Sequence, residues 1–165
     1  MNIFTGKETN FRRKSADFYI KTRHFSSIPT LFIMNTEKEY PVQKTEAEWK
    51  EQLGEERYHV LRKAGTERAH TGKYNLHFED GTYKCGACNA KLFESDSKFE
   101  SSCGWPSFSD SIDGAIEYVK DKSFGMIRTE ILCANCGSHL GHVFNDGPTP
   151  SGERYCVNSA SVDFE

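Results

Sequence analysis

Two cysteine pairs of the same form constrain this chain more than any other feature. Cys85-Gly-Ala-Cys88 and Cys133-Ala-Asn-Cys136 are Cys-x-x-Cys knuckles separated by 44 residues. A two-residue gap lets both thiolates of a knuckle turn toward one ion about 2.3 Å away, and two knuckles together complete a tetrahedron with no open position. Such a closed site is structural. The separation exceeds the 15–20 residues of a compact zinc ribbon, so the metal is expected to tie together the ends of a sheet-forming segment. Zinc and iron both suit four tetrahedral sulfurs. A redox role for either knuckle would need a βαβ setting and a single copy, whereas here two copies sit in a strand-rich region.

The rest of the chain is that of a water-soluble domain. Its 165 residues are enough for a hydrophobic core without disulfide staples, and no apolar run reaches the ~18 residues of a membrane span. We expect no membrane association. Residues 1–34 hold six Lys/Arg against Glu8 and Asp17, leaving 15 basic against 22 acidic residues in 35–165. A protein that grips a phosphate backbone carries its positive charge on the folded domain, so no nucleic-acid partner is expected. The absence of a secretory core near the start points to a reducing intracellular compartment, where thiols act as ligands or catalysts.

The basic segment 1–34 reads as a leader or a disordered tail. Thr5, Ser15, Thr22, Ser26 and Ser27 precede Pro29, and Phe11, Phe18 and Phe25 recur every seven residues between basic ones. As a leader it would direct the protein to the mitochondrion. As a tail, or with translation starting at Met34, it would leave the protein cytoplasmic.

Residues 45–64 read as short helices. Thr45 and Glu48 form a capping box, Trp49 and Leu53 share a face, and Gly54 marks a stop. The next segment, Glu55 to Ala64, spaces Tyr58, Leu61 and Ala64 by threes, with Arg62 and Lys63 in its last turn and Gly65 beyond. His24, His59, His70 and His77 have no ligand-like neighbours and are expected to be surface or packing residues. From Tyr83 onward short strands take over, including Ile116–Val119 and Met126–Leu132, punctuated by Gly, Asn, Asp, Ser and Pro. That pattern predicts a mainly β, antiparallel architecture.

With the knuckles set aside, Cys103 and Cys156 remain. Cys103 opens Cys103-Gly104-Trp105-Pro106-Ser107-Phe108, a Gly/Pro-punctuated loop expected to be mobile. Cys156 lies in Arg154-Tyr155-Cys156-Val157-Asn158, whose alternation on a strand would present Arg154, Cys156 and Asn158 on one face. A cation beside a thiol lowers its pKa. Upstream, His139 and His142 stand three apart; with a metal already supplied by cysteines, acid–base or hydrogen-bonding work beside a thiolate suits them.

At these residues the chain resembles the B-type methionine sulfoxide reductases, the family acting on the R epimer. The match covers about residues 45–165: Trp49, VLR at 60–62, GTER at 65–68, CGAC, CGWPSF, CANCGSHLGHVFNDGP and RYCVNSAS occur in order. The resemblance implies a small, barrel-like antiparallel β domain over residues 35–165 and a structural Zn2+ on Cys85, Cys88, Cys133 and Cys136. It implies catalysis by Cys156 and resolution by Cys103. Trp105 would wall the substrate's methyl group, His139, His142 and Asn158 would surround the sulfoxide, and Arg154 would organise the thiolate side. The partners implied are oxidised proteins and thioredoxin or a similar dithiol reductant, with the enzyme a monomer. Serine at 102 departs from the usual glycine and restricts the loop backbone. Two other readings fit parts of the pattern: a metal-held interaction module with the Trp/Phe loop as its surface, and a general thiol–disulfide reductase.

Overall fold

The computed structural model describes residues 38–165. The expectations for the leader 1–34, for Met34 and for His24 lie outside the described residues.

Helix α1 spans Glu46–Lys63 and is two helices in one run, because Gly54 interrupts it with φ 70. Its capping box is formed: the Glu48 amide donates to Thr45 Oγ1 at 3.3 Å and the Thr45 amide to Glu48 Oε2 at 2.8 Å. The helix closes on Ala64, held left-handed at φ 51. Trp49, Leu53, Val60 and Leu61 face the core. Burying one such side chain contributes roughly 1.5–3 kcal/mol, enough to dock a helix that would be marginal alone.

Nine strands follow among the described residues: β1 Thr82–Cys85, β2 Lys91–Glu94, β3 Lys98–Phe99, β4 Ser107–Phe108, β5 Ile116–Asp121, β6 Arg128–Cys133, β7 His139–Phe144, β8 Arg154–Val157 and β9 Val162–Phe164. They form a three-stranded sheet, β2-β1-β9, and a six-stranded sheet, β3-β4-β8-β7-β6-β5, antiparallel throughout. Both expected strands are present, except that Met126 and Ile127 lie before β6 rather than in it.

The two sheets share one core. Phe93 of β2 stacks on Phe108 of β4 with centroids 4.4 Å apart, and Tyr83 of β1 meets the same ring edge-on at 4.9 Å. Aromatic contacts of this kind add to the burial itself, and they set the small sheet against the part of the large sheet that carries Cys156. His77 belongs to this packing: it contacts the Tyr83 hydroxyl at 2.9 Å and the Phe164 ring.

Candidate active site and metal centre

The knuckles close where the two sheets meet, since Cys85 ends β1 and Cys133 ends β6. In each, an amide past the second cysteine returns to the first cysteine's carbonyl: Asn89 to Cys85 and Gly137 to Cys133, both at 2.8 Å. These turns aim four sulfurs at one point, all within 4.8 Å of one another, with Cys85–Cys136 and Cys88–Cys133 at 3.7 Å. A tetrahedral ion with bonds of about 2.3 Å requires sulfur separations of about 3.8 Å, so the donor set fits such an ion. Asn135 Nδ2 donates to Cys88 Sγ at 3.3 Å, and Ser138 Oγ lies 3.3 Å from Cys136 Sγ. Helix α1 braces both knuckles, through Gln52 Nε2 to the Ala87 carbonyl at 2.7 Å and Arg62 Nη1 to the Cys136 carbonyl at 3.2 Å. Nothing in the spacing of the cysteines signals that brace.

The other two cysteines face each other with their sulfurs 3.8 Å apart. Cys156 sits on β8, paired on one side with Ser107 of β4 and on the other with His142 of β7. Directly paired residues of an antiparallel ladder project to the same face, so His142 stands beside the thiol. The Cys103 loop is held by several hydrogen bonds. Ser101 Oγ lies 2.7 Å from Ser107 Oγ and donates to Cys103 Sγ at 3.0 Å, the Gly104 carbonyl accepts from the His70 amide, and the Pro106 carbonyl from the Val157 amide. Gly and Pro signal irregular backbone, but here small hydroxyls and backbone bonds fix it. Ser102 takes φ 55, a left-handed conformation that glycine adopts without strain and serine does not.

Two histidines three apart would face opposite sides of a regular strand. The register between β6 and β7 shifts at Leu140, with Ile131 opposite Gly141 and Leu132 opposite His139, and the two imidazoles meet edge to face at 5.6 Å. Their surroundings differ. His142 Nε2 lies 2.9 Å from Asp121 Oδ2, a carboxylate kept well below its usual range by the Ser123 amide and hydroxyl, His142 and Arg128. Burial pushes His142 itself below its ordinary value against the pull of Asp121. A neutral ring facing an ionised carboxylate carries its proton on Nε2 and a lone pair on Nδ1. His139 is buried behind it, with Nδ1 2.6 Å from Glu130 Oε1. Its Nε2 has no partner among the described residues.

A pocket of about 120 Å³ opens on Cys156, lined by Thr66, Trp105, Arg128, His142, Phe144 and Asn158, with Gly141 and Val157 as backbone floor. Of the sequence-derived site residues, Cys156, Trp105, His142 and Asn158 meet in this pocket; His139 does not line it. The Asn158 amide is already engaged, accepting from the Glu67 amide at 3.2 Å and donating to the Leu140 carbonyl at 3.2 Å. Its polar atoms shape the wall. Arg154 is clamped by Asp146 through Nε at 2.8 Å and Nη2 at 3.0 Å, and lies over the Phe144 ring.

Arg154 draws the Cys156 pKa down, as a cation should, but burial and the neighbouring Cys103 outweigh it and push the thiol up to about 12. For Cys103 burial acts in the same upward sense, yet hydrogen bonds from Ser101 and Ser107 prevail and its pKa is lowered. The surroundings thus oppose ionisation at Cys156 and favour it at Cys103.

Glu67 belongs to the GTER motif at 65–68, where nothing in the sequence marks its role. Its carboxylate accepts from the Ser159 amide at 2.6 Å and the Ala160 amide at 2.8 Å, just past β8. Its carbonyl accepts from Trp105 Nε1 at 3.2 Å, and its amide donates to Asn158. One residue thus joins the pocket's aromatic wall to the end of the strand carrying Cys156. Asp121 and Asp146, each holding a site residue, were likewise unassigned. Only strand pairing reveals the first, because 21 residues separate it from His142.

The sequence model described as the SelR domain matches residues 53–165. A curated relative from Variovorax paradoxus, a peptide methionine sulfoxide reductase MsrB, is 58% identical over 131 residues, spanning 76% of this chain and 96% of its own length. Reductases of the same name from Methylibium petroleiphilum and Leptospira interrogans are each 55% identical, covering 78% and 76% of this chain and 94% and 97% of theirs. A Mis18 'Yippee-like' domain structure, 15% identical with a TM-score of 0.42 over 53% of this chain and 96% of its own, is too remote to bear on the fold. With a family match over most of the chain and relatives above half identity, the chain belongs to the SelR domain family of B-type methionine sulfoxide reductases.

Proposed function

We propose that the protein reduces the R epimer of protein-bound methionine sulfoxide at Cys156, resolves the oxidised enzyme through Cys103, and is recycled by thioredoxin or a similar dithiol. The observation that carries this reading is the 3.8 Å approach of two sulfurs, one of which opens on an aromatic-walled pocket.

The Cys156 sulfur attacks the sulfoxide sulfur as its proton is released. His142, neutral with a lone pair on Nδ1, takes that proton and delivers it to the departing oxygen. The S–O bond of the substrate breaks, its hydroxyl passes to the Cys156 sulfur as the transient bond between the two sulfurs cleaves, and methionine leaves: Cys156 becomes a sulfenic acid and two electrons pass from the cysteine sulfur to the substrate sulfur. Cys103 then attacks the Cys156 sulfur, and the thiol proton of Cys103 leaves with the hydroxyl as water while the disulfide forms. An external dithiol reduces that disulfide by exchange, leaving both thiols free and the dithiol oxidised.

Trp105 supplies the apolar wall for the substrate methyl group, a fit for a side chain that presents a methyl beside a polar S–O dipole. Asn158 acts through Glu67 and Leu140 to hold the pocket's shape. Arg154 faces Cys156 and stabilises its thiolate when exchange releases it, while His139 supports the His142 ring from behind.

Cys85, Cys88, Cys133 and Cys136 would hold Zn2+. The ion contributes folding free energy at a closed site and no redox chemistry.

The reading is tested by assaying the two separated epimers. Turnover of the R form alone is expected, and turnover of the S form alone would overturn it. Consumption of disulfides with neither epimer reduced would favour a general thiol–disulfide reductase.

A further inference from the structure

The hairpin joining β5 to β6 turns through Phe124-Gly125-Met126-Ile127, and these side chains stand in solvent: Phe124 is 89% exposed, Ile127 76% and Met126 48%. Phe124 holds φ 54, a left-handed conformation that is unfavourable for an ordinary residue. With the ring so exposed, intramolecular packing does not offset that cost. Apolar side chains gathered at one projecting tip mark an interaction site more often than isolated ones do.

The base of the hairpin belongs to the active site. Asp121, the last residue of β5, holds His142, and Arg128, the first of β6, lines the pocket. Those two residues pair with each other through Arg128 Nη2 at 2.6 Å. The large sheet carries a continuous row from Cys156 to His142, Glu130 and Val119 across four strands. The apolar tip therefore begins where the pocket ends.

A pocket of about 120 Å³ holds a methionine-sized side chain and not a main chain. When the sulfoxide belongs to a polypeptide, the residues beside it must cross the rim. On the hairpin side that rim carries the apolar side chains of Phe124, Met126 and Ile127 beside the exposed Lys122, while Asp121 and Arg128 pair with each other.

We infer that the Phe124–Ile127 tip is a docking ledge for apolar residues flanking a methionine sulfoxide in a polypeptide substrate. This inference rests on the assignment of the Cys156 pocket to the sulfoxide.

The experiment compares the parent protein with a Phe124→Asn, Ile127→Thr variant on three probes: N-acetylmethionine R-sulfoxide, a hexapeptide with the R-sulfoxide flanked by leucines, and one flanked by serines. Asparagine tolerates the left-handed backbone, and an unchanged thermal midpoint checks the fold. Losing partial burial of two apolar side chains should lower kcat/KM on the leucine peptide about tenfold, at 1.36 kcal/mol per tenfold. The serine peptide and the small substrate should stay within about twofold of the parent. Equal loss on all three probes, or no loss on the leucine peptide, would overturn the ledge. So would sedimentation showing that the parent self-associates through the tip and the variant does not. Failure of the underlying assignment is distinct: the parent would not reduce even the N-acetyl substrate.

Discussion

A Cβ on Gly141 would stand 2.0 Å from the carbonyl oxygen of Cys156. Gly141 also holds φ 155, and the backbone of β8 fills the space where a side chain would be. The bulge that brings His139 and His142 to one side thus depends on bare backbone against the strand bearing Cys156. Gly141→Ala should destabilise the protein by about 1–3 kcal/mol through overpacking and lower kcat by shifting Cys156. Urea melts and steady-state assays check both. A parental midpoint with parental kcat would show that the two strands can separate freely here.

Glu67 offers a second test remote from the reacting atoms. Glu67→Ala removes the acceptor of the Ser159 and Ala160 amides and leaves those donors unpartnered in a half-buried region. The expected loss is about 1–3 kcal/mol of stability, with KM raised as the Trp105 wall loosens. Since Glu67→Gln keeps an acceptor oxygen, it should recover part of both. Equal damage by Ala and Gln would assign the effect to the charge rather than to the hydrogen bonds.

The thiol pKa values order the two cysteines in an alkylation experiment. Burial holds Cys156 up near 12, while hydroxyl donors bring Cys103 down. In the reduced protein at neutral pH, iodoacetamide should modify Cys103 before Cys156, as read by peptide mass mapping. Preferential labelling of Cys156 would contradict this order.

The lowered pKa of His142 has its own sign. Between its folded value and the unfolded value of about 6.5 the unfolded chain binds the proton and the folded chain does not. This group's contribution is complete above pH 6.5 and is lost as the pH falls below it. The acid limb of kcat/KM should likewise lie below pH 6.5, and His142→Asn should remove it. A limb at or above 6.5 in the parent would rule out a neutral, buried imidazole as the proton carrier.

At the metal centre Cys85→Ser should lower the thermal midpoint and the bound zinc before it alters single-turnover chemistry, because binding energy at a closed site is folding energy. Elemental analysis and calorimetry read both. Well-folded, active protein with zinc near zero would contradict the assignment.

Much of the fold was legible because each signal is local. The Thr45–Glu48 box, the stop at Gly54 and the alternation in 116–119 are set by neighbours in sequence, as is the aim of each Cys-x-x-Cys turn. The family motifs then selected Cys103, Cys156, Trp105 and the histidines. What stayed hidden depends on pairing at long range. The bulge at Leu140 decides which imidazole lines the pocket, and the Asp121–His142 and Glu67–Ser159 contacts join distant segments. The net effect on the Cys156 thiol was hidden for a related reason. Alternation put Arg154 beside Cys156, but it could not weigh that cation against burial and a second sulfur 3.8 Å away.

The central claim is that Cys156 is oxidised by substrate and Cys103 closes on it. The most direct measurement is disulfide mapping by mass spectrometry after the reduced protein meets excess methionine R-sulfoxide with no reductant present. The account predicts about one methionine per chain together with a single Cys103–Cys156 crosslinked peptide, the four knuckle cysteines remaining as ligands. A crosslink from Cys156 to any knuckle cysteine, or methionine formed in the same yield by Cys156→Ser, would contradict it.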